Sequence, residues 1–206
     1  MFQSISWASL TVVFLGIIIH LCAGLGGNQP KGKSRAKRHP LWWCGWADDL
    51  ELLGKLKRLA GIVAVVSLLL MALTAFYGRL TADQVMTGYT LMIHVGTAPV
   101  FLVCSVFLLV TWSYQCRLSD GEWDELTKRL RFQPVKADGS GLWLKLTFWG
   151  AMFLTLPACL SIVAIMFTIF GTHSQEILFG IHQYTGLGVV LFAIIHVYIL
   201  IRRQGK

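Results

Sequence analysis

Five stretches of this chain run for 18 or more residues without a charged side chain: Trp7–Leu25, Leu59–Tyr77, Tyr89–Trp112, Leu146–Phe170 and Ile177–Ile201. A helix needs about 20 mainly apolar residues to cross the hydrocarbon of a bilayer, and runs of this length are its signature. Strand alternation is absent, and backbone in lipid must satisfy its own hydrogen bonds, so helices are the expected form. Composition agrees. Hydrophobic residues make up 55% of the 206 and charged residues only 14%, where a soluble domain carries roughly a quarter. The expected fold class is all-α, a transmembrane helical bundle of five spans.

The basic residues give the direction. Lys31, Lys33, Arg35, Lys37, Arg38, Lys55, Lys57 and Arg58 lie between the first and second runs. Arg117, Lys128, Arg129, Arg131, Lys136 and Lys145 lie between the third and fourth, and Arg202, Arg203 and Lys206 follow the fifth. Seventeen of the 18 Lys and Arg thus fall on one side of a five-span topology, and the other side holds only Arg79, with Asp83 and Glu176. The positive-inside rule places the N-terminus outside and the C-terminus in the cytoplasm. A net charge of +8 distributed this way marks a membrane face, and we expect no nucleic-acid partner.

The first run reads as a retained span, because no Lys or Arg precedes it and the basic cluster follows it. We divide the chain into an additional N-terminal helix (1–27), a basic, Trp-rich cytoplasmic segment at the interface (28–58) and a four-helix unit (59–206). Of the helical runs, only the last two are expected to be tightly joined, through Gly171–Glu176. Between the third and fourth, Ser119–Glu125 leads into a short surface helix over Leu126–Phe132, with acids at its start and bases near its end as a helix dipole favours. The five cysteines (Cys22, Cys44, Cys104, Cys116 and Cys159) form no CxxC or CxxCH. Covalent c-type haem and cysteine-ligated metal sites are therefore not expected.

Lys, Arg, Asp and Glu are absent from the runs, and histidine is the exception: His20, His94, His182 and His196, with His39 and His173 in connections. Ionisable residues in a membrane are costly and read as functional. His182 and His196 are 14 residues apart. At about 100° per residue they turn through roughly 1400°, some 40° short of four turns, so both project from one face about 21 Å apart. That spacing suits two haems stacked across a bilayer, each taking one neutral imidazole from this helix and a second from a facing helix. His94 and His182 each lie about five residues into runs of the same direction, which puts them level near the outer surface. Ala98 and Gly186 follow four residues later on the same faces, small enough for a flat porphyrin to approach. The segments Met92–Ala98 and Gly180–Gly186 also read as a repeat. A structural, hydrogen-bonded role for these histidines is the alternative.

From Leu59 onward, about 150 residues, the chain resembles the cytochrome b (gamma) subunit of membrane-bound formate dehydrogenases, related to that of nickel–iron hydrogenases. The resemblance is carried by Leu142–Trp149, by Ile181-His182-Gln183-Tyr184-Thr185-Gly186 and by Ile195-His196-Val197-Tyr198. It implies a four-helix diheme bundle in which His182 pairs with His94 on the outer haem b, and His196 holds the inner one with a histidine early in the bundle's first helix. The chain departs from the family at that last position. Registered on Ala72-Leu73-Thr74-Ala75 it falls near Gly61, and no histidine occurs between Pro40 and Ile93. His20, about five residues from the cytoplasmic end of the extra first helix, sits level with His196 and is our expected replacement ligand, with Gly61 leaving room for its ring. The alternatives are that His39 reaches in from the loop or that one haem is absent altogether.

The resemblance further implies a membrane electron-transfer subunit of a respiratory complex in the bacterial cytoplasmic membrane. Its partners would be an extracytoplasmic iron–sulfur or multihaem cytochrome subunit, other membrane subunits and quinone. The loop Lys136–Lys145, with Asp138, Ser140 and Gly141, matches where the family lines its quinone pocket, although the local sequence departs there. Arg58 and Arg202 could neutralise inner haem propionates and Arg79 outer ones. No loop is large enough for a catalytic domain. A haem-poor or single-haem membrane anchor is the alternative from another class. A transporter would instead call for acids in the spans or for helices broken mid-span; the spans hold no acid and two prolines, Pro99 and Pro157.

Overall fold

The structure, a computed structural model, describes residues 1–25, 52–82, 84–134, 140–167 and 169–205. Among these residues all regular structure is helical: α1 (Phe2–Leu25), α2 (Leu52–Ala82), α3 (Gly88–Trp112), α4 (Asp120–Leu130), α5 (Ser140–Ile165) and α6 (Thr172–Gly205). All but α4 are long and apolar enough to cross a membrane, and the protein is a multi-pass integral membrane protein.

Helices and apolar runs do not share their ends. Helix α2 starts seven residues before the run at Leu59 and ends five after Tyr77, so the interfacial segment expected over 28–58 is helical from Leu52. Its stop at Ala82 leaves only residues 83–87 before α3, a connection as tight as the one between α5 and α6, which sequence had singled out. Helix α5 takes in Ser140–Lys145, placed in a loop by hydropathy, and stops at Ile165. Helix α6 takes in His173 and the polar Ser174-Gln175-Glu176. The cause is common to all. Hydropathy reports what lipid tolerates, whereas a helix continues as long as backbone bonds propagate, with long basic side chains reaching back to water.

Burial differs from that of a soluble protein. Beside a few large apolar side chains (Leu108, Leu142, Phe148, Leu187), the residues most removed from the surface are small or hydroxyl-bearing: Ser6, Ser67, Ser105, Thr147, Thr155 and Ser161, with Ala60, Ala64 and Ala158. The exposed ones include Phe14, Ile18, Leu69, Val103 and Phe153. Between helices in lipid there is no hydrophobic gain to be made, so close backbone approach and hydroxyl hydrogen bonds hold contacts together while large apolar groups face the acyl chains.

The chain forms two compact units, Gln3–Leu108 with Met1, and Leu109–Lys206 with Phe2. In the first, the start of α1 is tied to the end of α2: Gln3 Nε2 and Trp7 Nε1 both donate to the Leu80 carbonyl, at 3.1 and 3.2 Å. Gly88 opens α3 with a φ of 59°, a left-handed conformation that glycine adopts without penalty.

In the second unit α5 and α6 form an antiparallel hairpin. Phe192 lies over Gly150, where a Cβ would come within 2.7 Å of the ring, and Leu154 lies over Gly188, where a Cβ would come within 2.6 Å of Cδ1. These two large-on-glycine contacts fix the register. Pro157 lies inside α5, as Pro99 does inside α3, without breaking either helix.

Helix α4 is capped at both ends. Ser119 and Glu122 form a capping box, which satisfies first-turn donors reciprocally. At the other end Phe132 N–H bonds the Arg129 carbonyl and Gln133 N–H the Lys128 carbonyl, the Schellman pattern, with Phe132 at φ 54° where glycine is usual. The helix is moored to α5 by Lys145, whose Nζ donates to Glu122 Oε2 at 2.7 Å and to the Arg117 carbonyl at 2.8 Å. Trp149 Nε1 adds a bond to the Cys116 carbonyl at 3.0 Å. Burial pushes the Cys116 thiol up, with Lys145 opposing, so it stays protonated and a poor metal ligand near neutral pH.

The hydrogen bond from Lys145, followed by those from Ser119, holds the Glu122 carboxyl below the usual 4.5. A carboxyl depressed on folding contributes stability above its unfolded value and loses it as pH falls through the folded one. We therefore expect amide exchange of α4, corrected for the intrinsic rate, to stay slow near neutrality and to rise as pH drops below about 4. Lys145→Met is expected to give a similar rise of about five-fold already at pH 7, the equivalent of about 1 kcal/mol for one partly shielded charged hydrogen bond.

Candidate functional site

The four histidines within the spans divide between the two units, His20 and His94 in the first, His182 and His196 in the second. Three of them are half-buried and held by the same ring nitrogen. His182, on α6, places Nδ1 2.8 Å from the Ala158 carbonyl of α5. His94, on α3, places Nδ1 3.2 Å from the Met71 carbonyl and 3.2 Å from Thr74 Oγ1, both on α2. His196 Nδ1 lies 2.9 Å from Thr147 Oγ1 on α5.

These partners fix the tautomer. A carbonyl can only accept, so in the neutral ring Nδ1 of His182 and of His94 carries the proton and the lone pair is on Nε2. For His196 the same follows from Thr147, whose hydroxyl is directed at the carbonyls of Trp143 and Leu144, at 2.9 and 3.0 Å, and so receives the imidazole proton. Thr74 repeats the device, its hydroxyl being directed at Leu70 and Met71, at 2.9 and 3.0 Å. A histidine ligating a metal through Nε2 almost always donates its other N–H to a carbonyl or similar acceptor, which orients the ring and raises its basicity.

Helix α6 is unbroken from Thr172 to Gly205, so the rise of about 21 Å between His182 and His196 applies, and both rings do bond α5, as projection from one face requires. Counted from the helix starts, His94 is the seventh residue of α3 and His182 the eleventh of α6. The difference is about one turn, and the first five residues of α6, Thr172–Glu176, are the polar turn. Gly186 lies one turn beyond His182, and a Cβ built on it would meet no atom within 4 Å. Ala98 lies one turn beyond His94 and is half-buried. Each histidine is thus followed one turn later by a small residue, Ala98 in the first unit and Gly186 in the second.

The remaining expected residues are placed less tellingly. His20 is exposed on α1 and His173 exposed in the first turn of α6; Gly61 is half-buried in α2. Asp138 and His39 lie outside the described residues. Ser140 and Gly141 open α5 instead of lying in a loop, and a Cβ on Gly141 would come within 4.0 Å of Glu122 Oε1. Arg202 donates to Tyr198 Oη at 3.1 Å.

Sequence reading missed Thr74 and Thr147, although both lie in segments it had quoted. Counting outward from the turn at 166–171 pairs His196 with residues near 141, almost two turns from Thr147, so chain counting alone does not find it. Compared with protein-family models, with curated proteins and with solved structures, the chain matches none of them.

Proposed function

We propose that this protein is a membrane cytochrome b subunit that carries electrons across the bilayer through two b-type haems, between an extracytoplasmic iron–sulfur or multihaem partner and the quinone pool of a bacterial cytoplasmic membrane. The observation that carries the reading is a shared geometry: three span histidines hold Nδ1 against a carbonyl or hydroxyl of a neighbouring helix, the orientation an imidazole takes when it ligates a metal through Nε2. The haems supply one-electron chemistry, and the protein supplies ligands, orientation and environment. His94 and His182 serve the haem nearer the outer face, where the polar first turn of α6 projects from the membrane. His196 serves the inner haem, with His20 as the second ligand and Gly61 clearing space. The 17 basic residues on one side support the orientation with the N-terminus outside. Asp138, Ser140 and Gly141 remain the proposed quinone-proximal residues, and of these Gly141 lies beside Glu122 of α4.

A haem b content of two per chain in the purified protein, by pyridine haemochrome assay against amino-acid analysis, is the expected result. A haem-free protein sinks the proposal. One observation favours a second reading: the exposure of His20 fits a subunit with a single haem on His94 and His182, which the same assay separates as one per chain.

A further inference from the structure

The only buried side-chain nitrogen or oxygen without a hydrogen-bond partner, among the described residues, is Nη1 of Arg58. A guanidinium nitrogen withdrawn from water and unpaired is costly. Arg58 shares a shallow, open groove, with a cavity volume of about 20 Å³, with Lys55, Leu59 and Ile62. These four follow the i, i+3, i+4, i+7 spacing of one helix face, so two cations at one end grade into two aliphatic side chains at the other.

Local electrostatics sharpen the demand for an anion. The pocket lies in the first turns of α2, where the helix dipole is positive, and the first turn holds no acid, while Lys55, Lys57 and Arg58 add three positive charges. The surroundings indicate its form. Leu53, Leu56 and Leu59 are 51%, 46% and 48% exposed, so this end of α2 presents aliphatic surface outward, beside the pocket.

We propose that the pocket binds the headgroup of an anionic phospholipid, its phosphate diester between Lys55 and Arg58 and an acyl chain along Leu59 and Ile62. Basic pockets at the cytoplasmic ends of membrane helices bind such headgroups, each cation contributing about 1 kcal/mol. The site does not rest on the haem reading, in which Arg58 is a candidate propionate partner.

The test is lipid retention by the full-length protein in neutral detergent, read by native mass spectrometry after exchange into mixed phosphatidylglycerol and phosphatidylcholine. Wild type is expected to retain phosphatidylglycerol over phosphatidylcholine by roughly ten-fold or more, as two cations at that strength allow. Lys55→Gln/Arg58→Gln is expected to bring the ratio near unity, Lys55→Gln alone to lower it with haem content unchanged, and Arg203→Gln, at an exposed basic position, to leave it as in wild type. Four results overturn the proposal: no preference in wild type, an equal loss in Arg203→Gln, displacement by inorganic phosphate alone, or loss of haem with lipid retained, which reassigns Arg58 to a propionate. Should the double variant not accumulate, cross-linking of photoactivatable phosphatidylglycerol to wild type decides the matter. Labelling within 55–62 supports the site and labelling confined elsewhere removes it.

Discussion

Alanine at His182 is expected to lower the haem content from two per chain to one, and alanine at His94 to do the same. The informative variant is the pair. If these two imidazoles share one iron, His94→Ala/His182→Ala loses no more haem than either single change, because ligands acting as a unit are non-additive. His182→Ala/His196→Ala, which removes a ligand from each site, should lose both. Retention of two haems by His94→Ala ends the ligand scheme. Retention of two by His20→Ala ends only the assignment of His20 and leaves the outer pair untouched. Thr147→Val, which keeps the shape of the side chain and removes the acceptor 2.9 Å from His196 Nδ1, should weaken retention of the inner haem by about 10–100-fold, the usual cost of losing such a partner, with the outer haem unchanged.

The second large effect is on stability. At Gly150 a Cβ would sit 2.7, 2.9 and 2.9 Å from three atoms of the Phe192 ring. A flat ring met on three atoms cannot rotate out of the way without leaving its place between α5 and α6. Gly150→Ala is therefore expected to destabilise by about 2 kcal/mol, within the range for overpacking, lowering the melting temperature in detergent by roughly 4–8 °C. Gly188→Ala is the contrast: the new Cβ meets only Leu154 Cδ1 at 2.6 Å, the next atom being 3.8 Å away, and one side-chain rotation relieves it at under about 1 kcal/mol. Phe192→Leu should rescue Gly150→Ala. A melting temperature for Gly150→Ala equal to that of Gly188→Ala contradicts the packing argument.

The five spans were legible because lipid imposes a single requirement, about 20 uncharged residues, that leaves a mark in any sequence. Helix α4 was half legible. Acid at its start and base at its end announced it, but the capping box at Ser119 and Glu122 starts it at Asp120, six residues before the expected Leu126, and Gly121 disguised the first turn. The histidines could be picked out, since no Lys, Arg, Asp or Glu lies within the runs. Their partners could not. Whether His196 meets Thr147 or a residue a turn away depends on the register of α5 on α6, and that register rests on which large side chain covers which glycine. Such pairings are set by shape across two helices and leave no periodic trace in either one.

The committed Nδ1 protons of His94, His182 and His196 bear on what the spans can conduct. A histidine passes a proton along by accepting at one ring nitrogen and releasing at the other, which requires both to exchange partners. Here one nitrogen of each ring is bound to a carbonyl or hydroxyl of the adjacent helix, so these three side chains make no proton wire. Electrons taken across the membrane by groups on these ligands would then travel without a proton handed along by these three rings. Each would move a full charge through the field, about 2.3 kcal/mol for every 100 mV, so that turnover would itself charge or discharge the membrane.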